Sequence, residues 1–248
     1  MKSLIVVVGI LPLCLVTASC SQPPASTWQG TVDAIAALNA TADSQVGHFD
    51  VTEYLSVLDH LEMEQGYTLG YILCGYDADW APYLYASQDG EPSDYAHSEC
   101  VDDTRQIAPV MHQNQYLDHI RTDGSTEGFF QLVVLRVMGG QFDQIGHTHY
   151  NDHLIVCDSS GLEAAFSGVE DFFQGQEMVP PEIRERAKEL DLEPWIEIDQ
   201  DTVLVRIVVF TKWGGLAEET YTINLTFPHK VLEVEWKVLV PYECGVFL

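Results

Sequence analysis

Positive charge is scarce in this chain. Its 248 residues include 11 Lys and Arg against 38 Asp and Glu, a formal net charge of -27 at pH 7. A surface with that balance repels nucleic acid phosphates and anionic lipid head groups. We therefore expect no nucleic acid partner and no direct binding to an anionic membrane surface. Solubility in a salty or cation-rich medium is the simplest explanation of the acidity, and capture of cations or basic partners is the functional alternative.

Several sequence motifs of familiar enzymes are also missing. The chain has no G-x-S-x-G motif, and its Gly-Gly pairs at 139–140 and 214–215 lack the surroundings of a phosphate-binding loop. Asp77 and Asp79 begin like a calcium loop, but no D-x-D-x-D-G pattern follows. No carboxylate pair stands out among the 38 acids as a glycosidase pair. Nucleophilic, phosphate-binding and calcium-dependent functions therefore find no support in the sequence.

One long apolar run occurs, at the N-terminus. Residues 1–20 read MKSLIVVVGILPLCLVTASC, in which Lys2 precedes about 13 largely apolar residues and a group of small residues. This layout is typical of a secretory signal, and the run is too short for an ordinary transmembrane helix. Residues 21–27, SQPPAST, then form a Ser- and Pro-rich stretch with the composition of a tether.

The end of this segment, Thr17-Ala18-Ser19-Cys20, resembles the lipobox of bacterial lipoproteins. The resemblance implies that Cys20 is lipidated, becomes the mature N-terminus and is the chain's only contact with the membrane. It also implies an exported protein of the bacterial cell envelope, anchored at the outer membrane because serine follows the cysteine, and facing the periplasm or the exterior. Ordinary cleavage after Ala18 is the alternative.

Export would place the remaining cysteines in an oxidising compartment. Once the signal is removed and Cys20 serves as the anchor, the cysteines left are Cys74, Cys100, Cys157 and Cys244. An even count predicts at least one disulfide, and three pairings of four cysteines are possible. Cys74–Cys100 is the local option and leaves Cys157 to pair with Cys244. Burial of some of them as free thiols is the alternative.

Residues 28–248 are predicted to form a single α+β domain of antiparallel β-meanders with several helices packed on one side. Helices are predicted at 28–42, 49–64, 106–120, 161–173 and 181–190, and strands at 67–74, 82–86, 195–199, 202–213, 220–227 and 230–240. Residues 87–104 read as an acidic loop. In the last hairpin, the alternation predicts that Tyr221 faces Trp236 and Ile223 faces Val234 on a dry face, with the other face wet.

The stretch from Phe129 to Cys157 is predicted to form the central meander of three strands. Gly139-Gly140 and Asn151-Asp152 provide residue pairs that tolerate the positive φ of two-residue hairpin turns. The resulting register places Arg136 opposite Asp143. It also places Leu132 opposite His147 and Phe130 opposite His149. Because side chains alternate between faces, His147 and His149 share one face and His153 lies on the other.

The segment from His147 to His153, HTHYNDH, is the only cluster with the density of metal ligands. It resembles the H-x-H-x-D-H signature of metallo-β-lactamase-type hydrolases, with one more residue before Asp152, and the H-x-H motif of cupins. The further ligands of either family have no matching residues, so neither activity is carried over. A catalytic zinc normally has three protein ligands, and the predicted register brings together only two histidines.

We therefore favour a binding or structural role without a cofactor. The alternative is a metal-dependent hydrolase that holds zinc or another divalent metal through His147, His149 and a third ligand. His153 is the nearest histidine in the sequence, but the predicted register places it on the opposite face, so the third ligand would come from His112, His119 or a carboxylate elsewhere.

Metal analysis separates these two hypotheses. We expect protein purified without a His tag to contain no stoichiometric transition metal, because two strand histidines lack the third protein ligand of a catalytic zinc. Replacing His147 and His149 with apolar residues should then change only the free energy of unfolding. Stoichiometric metal that disappears with this replacement would establish the hydrolase alternative instead.

Overall fold

A computed structural model of the chain describes residues 27–44, 49–76, 79–88, 97–99, 115–144, 153–172, 175 and 177–243. The described helices are α1 (Thr27–Ser44), α2 (Glu53–Val57), a 3₁₀-helix (Gln115–His119), α3 (Thr126–Met138), α4 (Ser159–Phe172) and α5 (Pro181–Lys188). The described strands are β1 (Leu61–Met63), β2 (Thr68–Tyr76), β3 (Asp79–Ser87), β4 (His97–Glu99), β5 (Ile120–Thr122), β6 (Leu154–Val156), β7 (Trp195–Ile198), β8 (Thr202–Thr211), β9 (Gly215–Asn224) and β10 (Val231–Val240). This mixture confirms the predicted single α+β domain.

The largest sheet has the strand order β10-β9-β8-β6, and β7 also pairs with β8; every pairing in it is antiparallel. A second sheet has the order β3-β2-β4, in which β4 runs parallel to β2. β1 and β5 form a two-stranded ribbon. Gly215 opens β9 with φ +81°, and a Cβ there would lie 2.2 Å from the carbonyl oxygen of Val240. Only glycine allows this approach of β9 to the end of β10.

The largest sheet is covered by helices on both faces, where the sequence predicted helices on one side. One face packs Val203, Val205 and Ile207 into the main core with residues of α1 and α3. The other face packs Val208 and Phe210 against apolar residues of α4 and α5. Because consecutive strand residues point to opposite faces, the nearly continuous apolar run of β8 supplies both cores.

Helix α3 occupies the place of the predicted first strand of the central meander. Its N-cap is Ser125, whose side chain accepts a hydrogen bond from the Gly128 N–H at 3.0 Å. The helix contacts α1, β1, β5, β6, β7 and β8. Its buried side chains point in all directions and include Phe129, Phe130, Leu132, Val133, Val134, Leu135 and Met138. A helix surrounded in this way lacks the polar stripe that marks an amphipathic helix, so its apolar run resembles a strand.

The register predicted for the central meander is therefore wrong. Arg136 lies in α3 with its guanidinium 5.7 Å from the centre of the Tyr221 ring, instead of opposite Asp143. The Asp143 N–H bonds to Asp43 Oδ1 at 2.5 Å. Of the three predicted strands, β6 is present, and it pairs with β8 instead of with its neighbours in the chain. The predicted turn at Asn151-Asp152 lies outside the described residues.

Three other predicted elements change their extent. Of the predicted helix 49–64, only Glu53–Val57 is helical, because Leu61–Met63 pairs with β5. The predicted loop 87–104 contains β4, which pairs with β2. Of the predicted helix 106–120, the described part is the 3₁₀-helix and the first residue of β5.

The last hairpin forms, but its register differs by two residues from the predicted one. Tyr221 faces Val234 and Thr222 faces Glu233, where the sequence predicted Trp236 and Glu235. β9 ends at Asn224, and residues 225–230 form a longer connection with a cis Phe227–Pro228 peptide bond. An irregularity between Val231 and Glu233 adds a further residue to β10.

The described cysteines divide between the two predicted fates. Cys74 is disulfide-bonded, which confirms the expectation of at least one disulfide. Cys157 is a free, buried thiol, so the pairing of Cys157 with Cys244 is wrong. It follows β6 in the core, where its N–H bonds to the buried Gln29 Oε1 at 2.9 Å.

Candidate functional site: an exposed edge strand

The residues that the sequence singled out lie mostly outside the described ranges. Cys20, His147 and His149 are all outside them. His153 immediately precedes β6, and its ring centre lies 6.2 Å from that of Trp236 in β10. Among the residues that the structure describes, no group of three or more His, Cys, Asp or Glu side chains could hold a metal ion. The metal hypothesis therefore stays a prediction about residues 147–149.

A cluster of His60, Asp123 and Ser125 has the composition of a catalytic triad but not its geometry. In a triad, the carboxylate and the hydroxyl bond to opposite nitrogens of the imidazole. Here Asp123 Oδ2 and Ser125 Oγ both lie near His60 Nδ1, at 2.7 and 3.3 Å. The Ser125 hydroxyl donates to Asp123 Oδ1 at 2.5 Å while it caps α3. The cluster therefore ties His60 to the start of α3.

Electrostatics reinforce this tie. The hydrogen bond that His60 donates to the Asp123 carboxylate, opposed by desolvation, raises the pKa of His60 above its ordinary value. The hydrogen bond from Ser125, together with His60, lowers the pKa of Asp123 from 3.8 to about 2. Each charged group thus stabilises the other, as expected for a hydrogen-bonded ion pair.

Two further described histidines also have structural partners. His119 Nδ1 lies 2.9 Å from Glu64 Oε2, and its ring stacks on Tyr67 with the centres 3.8 Å apart. His229 is buried, and burial lowers its pKa below the ordinary value. Its Nε2 accepts the Thr122 N–H at 3.3 Å, which links the loop before β10 to β5. These side chains connect neighbouring elements of the fold.

Among the described residues, β10, an edge strand of the largest sheet, carries exposed apolar side chains that no such contact explains. Four of its large apolar side chains are exposed, Leu232, Val234, Trp236 and Val238, by 56, 42, 46 and 49% respectively. We call these four residues the apolar stripe. On the face opposite to Val234, Trp236 and Val238, β10 carries Glu233, Glu235 and Lys237, which are also exposed.

The apolar stripe lies on the face that is buried elsewhere in the sheet. Val234, Trp236 and Val238 face Tyr221, Glu219 and Ala217 of β9, all of which are buried. These three residues of β9 are in turn paired with Val205, Ile207 and Val209 of β8, which lie in the main core. The stripe is thus the outer margin of the core face. Within the described ranges, no strand pairs with the outer edge of β10.

A small cluster of polar side chains lies beside the apolar stripe, on the same face of the sheet. The Tyr221 hydroxyl donates a hydrogen bond to the buried Glu219 carboxylate, and the Arg136 guanidinium lies beside the Tyr221 ring. Burial, followed by the neighbouring Glu219 charge, raises the pKa of Tyr221 above its ordinary range. Tyr221 therefore stays protonated at physiological pH and donates to Glu219.

The sequence predicted that Val234 and Trp236 lie on a dry face of the sheet, whereas the structure leaves them 42 and 46% exposed. The alternation V-x-W-x-V of residues 234–238 is typical of a strand with one buried face. Whether that face is covered depends on how far the helices extend over the sheet. The alternation of residues within one strand carries no information about this. The signal available in the sequence was the alternation itself.

Comparison with known proteins adds no further assignment, since no protein-family model, curated protein or solved structure matches this chain. Within the ranges that the structure describes, no helix combines the length and the apolar character needed to cross a membrane.

The pH dependence of stability tests the His60–Asp123 pair. Asp123 contributes above its unfolded pKa of 3.8, and that contribution is lost as the pH falls towards 2. His60 contributes below its unfolded pKa of 6.5, and that contribution is lost as the pH rises through its higher folded value. We expect the coupling free energy from a cycle of Asp123→Asn, His60→Gln and the double variant to be largest between pH 3.8 and pH 6.5, the two unfolded pKa values. Because both side chains are partly exposed, about 1 kcal/mol is the upper bound. Urea unfolding across the pH range measures it, and a coupling independent of pH would contradict the ion pair.

Proposed function

We propose that this chain is an exported lipoprotein of the bacterial cell envelope, anchored through Cys20, whose folded domain binds another protein by accepting an extended strand along β10. The N-terminal sequence supports the anchor. The observation that carries the binding role is the apolar stripe, in which four large side chains are 42–56% exposed on one strand.

Covering the stripe releases free energy. Fully burying one Val or Leu side chain is worth roughly 1.5–3 kcal/mol relative to leaving it exposed. The four side chains of the stripe are only about half exposed, so a partner gains part of this for each. An edge strand also presents unpaired backbone N–H and C=O groups, which an added strand satisfies. Strand addition therefore supplies apolar burial and main-chain hydrogen bonds together.

The chemistry of β10 specifies the strand that it accepts. Alternate residues of the partner must be apolar to cover Val234, Trp236 and Val238. On the other face, a basic side chain opposite Glu235 and an acidic one opposite Lys237 would stabilise the pair, because opposite charges on facing strands attract. A partner with apolar residues at every second position and mixed charges between them meets both requirements.

The anchor is tested separately from the binding role. We expect Cys20→Ser to release the chain from the membrane fraction and to abolish labelling with a fatty acid analogue, because the cysteine thiol is the attachment point. Cys157→Ser is the matched control, since that thiol is buried and should leave labelling unchanged. Labelling that survives Cys20→Ser would contradict the lipoprotein assignment.

Photo-crosslinking in the producing cells tests the binding surface. We expect a benzophenone amino acid at Val234 or Val238 to give an adduct with a protein, and Trp236→Asp to remove that adduct by exposing a charge in the apolar interface. The same probe at Glu185 on α5, whose side chain is 73% exposed, is the matched control and should give none. An intramolecular adduct, or the absence of any adduct that depends on Trp236, would overturn the proposal.

A further inference from the structure

We propose that the strand accepted by β10 is β10 of a second copy of this chain, paired antiparallel in a register centred on Trp236. This inference rests on the proposed function, because it identifies the partner of the same edge strand.

The register follows from the alternation of β10. In a twofold antiparallel pair, residues at equal distances from the central residue face each other. Registers centred between two residues would place the apolar stripe of one copy beside the charged face of the other. With Trp236 at the centre, Trp236 faces its own counterpart, Val234 faces Val238, and Glu235 faces Lys237 twice. The interface then has one apolar face and one face with two opposite-charge pairs.

Neighbouring registers place like charges opposite each other. A register centred on Glu235 places that carboxylate against its own copy, and one centred on Lys237 does the same with two ammonium groups. A register centred on Val234 places Glu233 opposite Glu235 twice. Like charges directly opposite destabilise a strand pair. Among registers centred on residues 234–237, the one at Trp236 alone pairs opposite charges without a like-charge pair.

The shape of β10 allows this pairing over its central part. β10 follows β9 without irregularity from Glu233 to Val238, and register shifts occur on either side of this segment. All residues paired in the Trp236 register, 234–238, lie within it. The irregular ends limit how far an added strand can follow, which is consistent with a short and specific contact. In the dimer, the largest sheet of one copy joins that of the other edge to edge. The apolar stripes of the two copies then lie side by side on one face.

The net charge of the chain sets the salt dependence of the pair. Two copies with a formal charge of -27 each repel one another over long distances. Salt screens this repulsion, since the Debye length falls from about 10 Å at 0.1 M to about 3 Å at 1 M. We therefore expect the dimer to tighten as salt increases. A complex between this acidic chain and a basic protein would weaken under the same change.

Sedimentation equilibrium of the full chain in detergent tests the inference. We expect a monomer–dimer equilibrium in which Glu235→Lys and Lys237→Glu each raise the dissociation constant by about tenfold, because each turns two opposite-charge pairs into like-charge pairs. The double variant exchanges the two charges and should return the constant to near its original value. Glu185→Lys changes the net charge by the same amount as Glu235→Lys, but on a remote helix, and is the matched control for that variant.

Disulfide trapping tests the register directly. Facing residues of an antiparallel pair have Cα atoms about 4.5–5.5 Å apart, within the range that a disulfide spans. Trp236→Cys should therefore form an intermolecular disulfide with itself under mild oxidation. Glu235→Cys alone should not, whereas a mixture of Glu235→Cys and Lys237→Cys chains should.

The outcomes separate this inference from the proposed function. A chain that stays monomeric, yet gives a Trp236-dependent adduct with a different protein, overturns the second copy and leaves the proposed function standing. Open-ended oligomers would indicate head-to-tail pairing of β10 with the exposed edge strand β7 and would also overturn the inference. A monomer without any such adduct overturns both.

Discussion

The burial of α3 on all sides is the constraint on which the rest of the structure depends. A helix in the middle of a core must have the backbone groups at both ends satisfied by protein atoms. In the first turn, the Ser125 hydroxyl accepts the Gly128 N–H. At the other end, the Met138 carbonyl accepts from Asn39 of α1 at 3.0 Å and the Leu135 carbonyl accepts from Tyr116 at 3.1 Å. These bonds bring α1 and the 3₁₀-helix to the same helix end, so placing α3 also places its neighbours.

The position of α3 also explains why the sheet has a covered and an uncovered part. The helix contacts β6, β7 and β8, and the core face of β8 is buried there. β10 lies two strands away from β8, and its core-facing residues are about half exposed. The same alternation of apolar side chains is therefore core in β8 and surface in β10. An exposed apolar surface arises here as the margin of the core.

The polar clusters among the described residues have the composition of catalytic sites, but their geometry does not fit catalysis. Histidine, aspartate and serine meet at the start of α3, but the hydroxyl and carboxylate approach the same ring nitrogen. His119 and His229 likewise bond to groups that connect neighbouring elements. In a chain with few positive charges, these side chains and the few arginines serve to neutralise or connect acidic segments.

Local patterns were enough to predict much of this fold. The α+β class, α1, α4, α5 and the strands from β7 to β10 follow from helical periodicity, strand alternation and turn residues, all of which act within a few neighbouring residues. The sequence by itself also determined that residues 234–238 would carry an apolar face and a charged face. Only the tertiary structure decided that Phe129–Met138 is a helix, because an apolar run buried on every side has no period to reveal it. It also decided that the apolar face of β10 lies at an open edge, since coverage depends on elements distant in the chain, which no local pattern records.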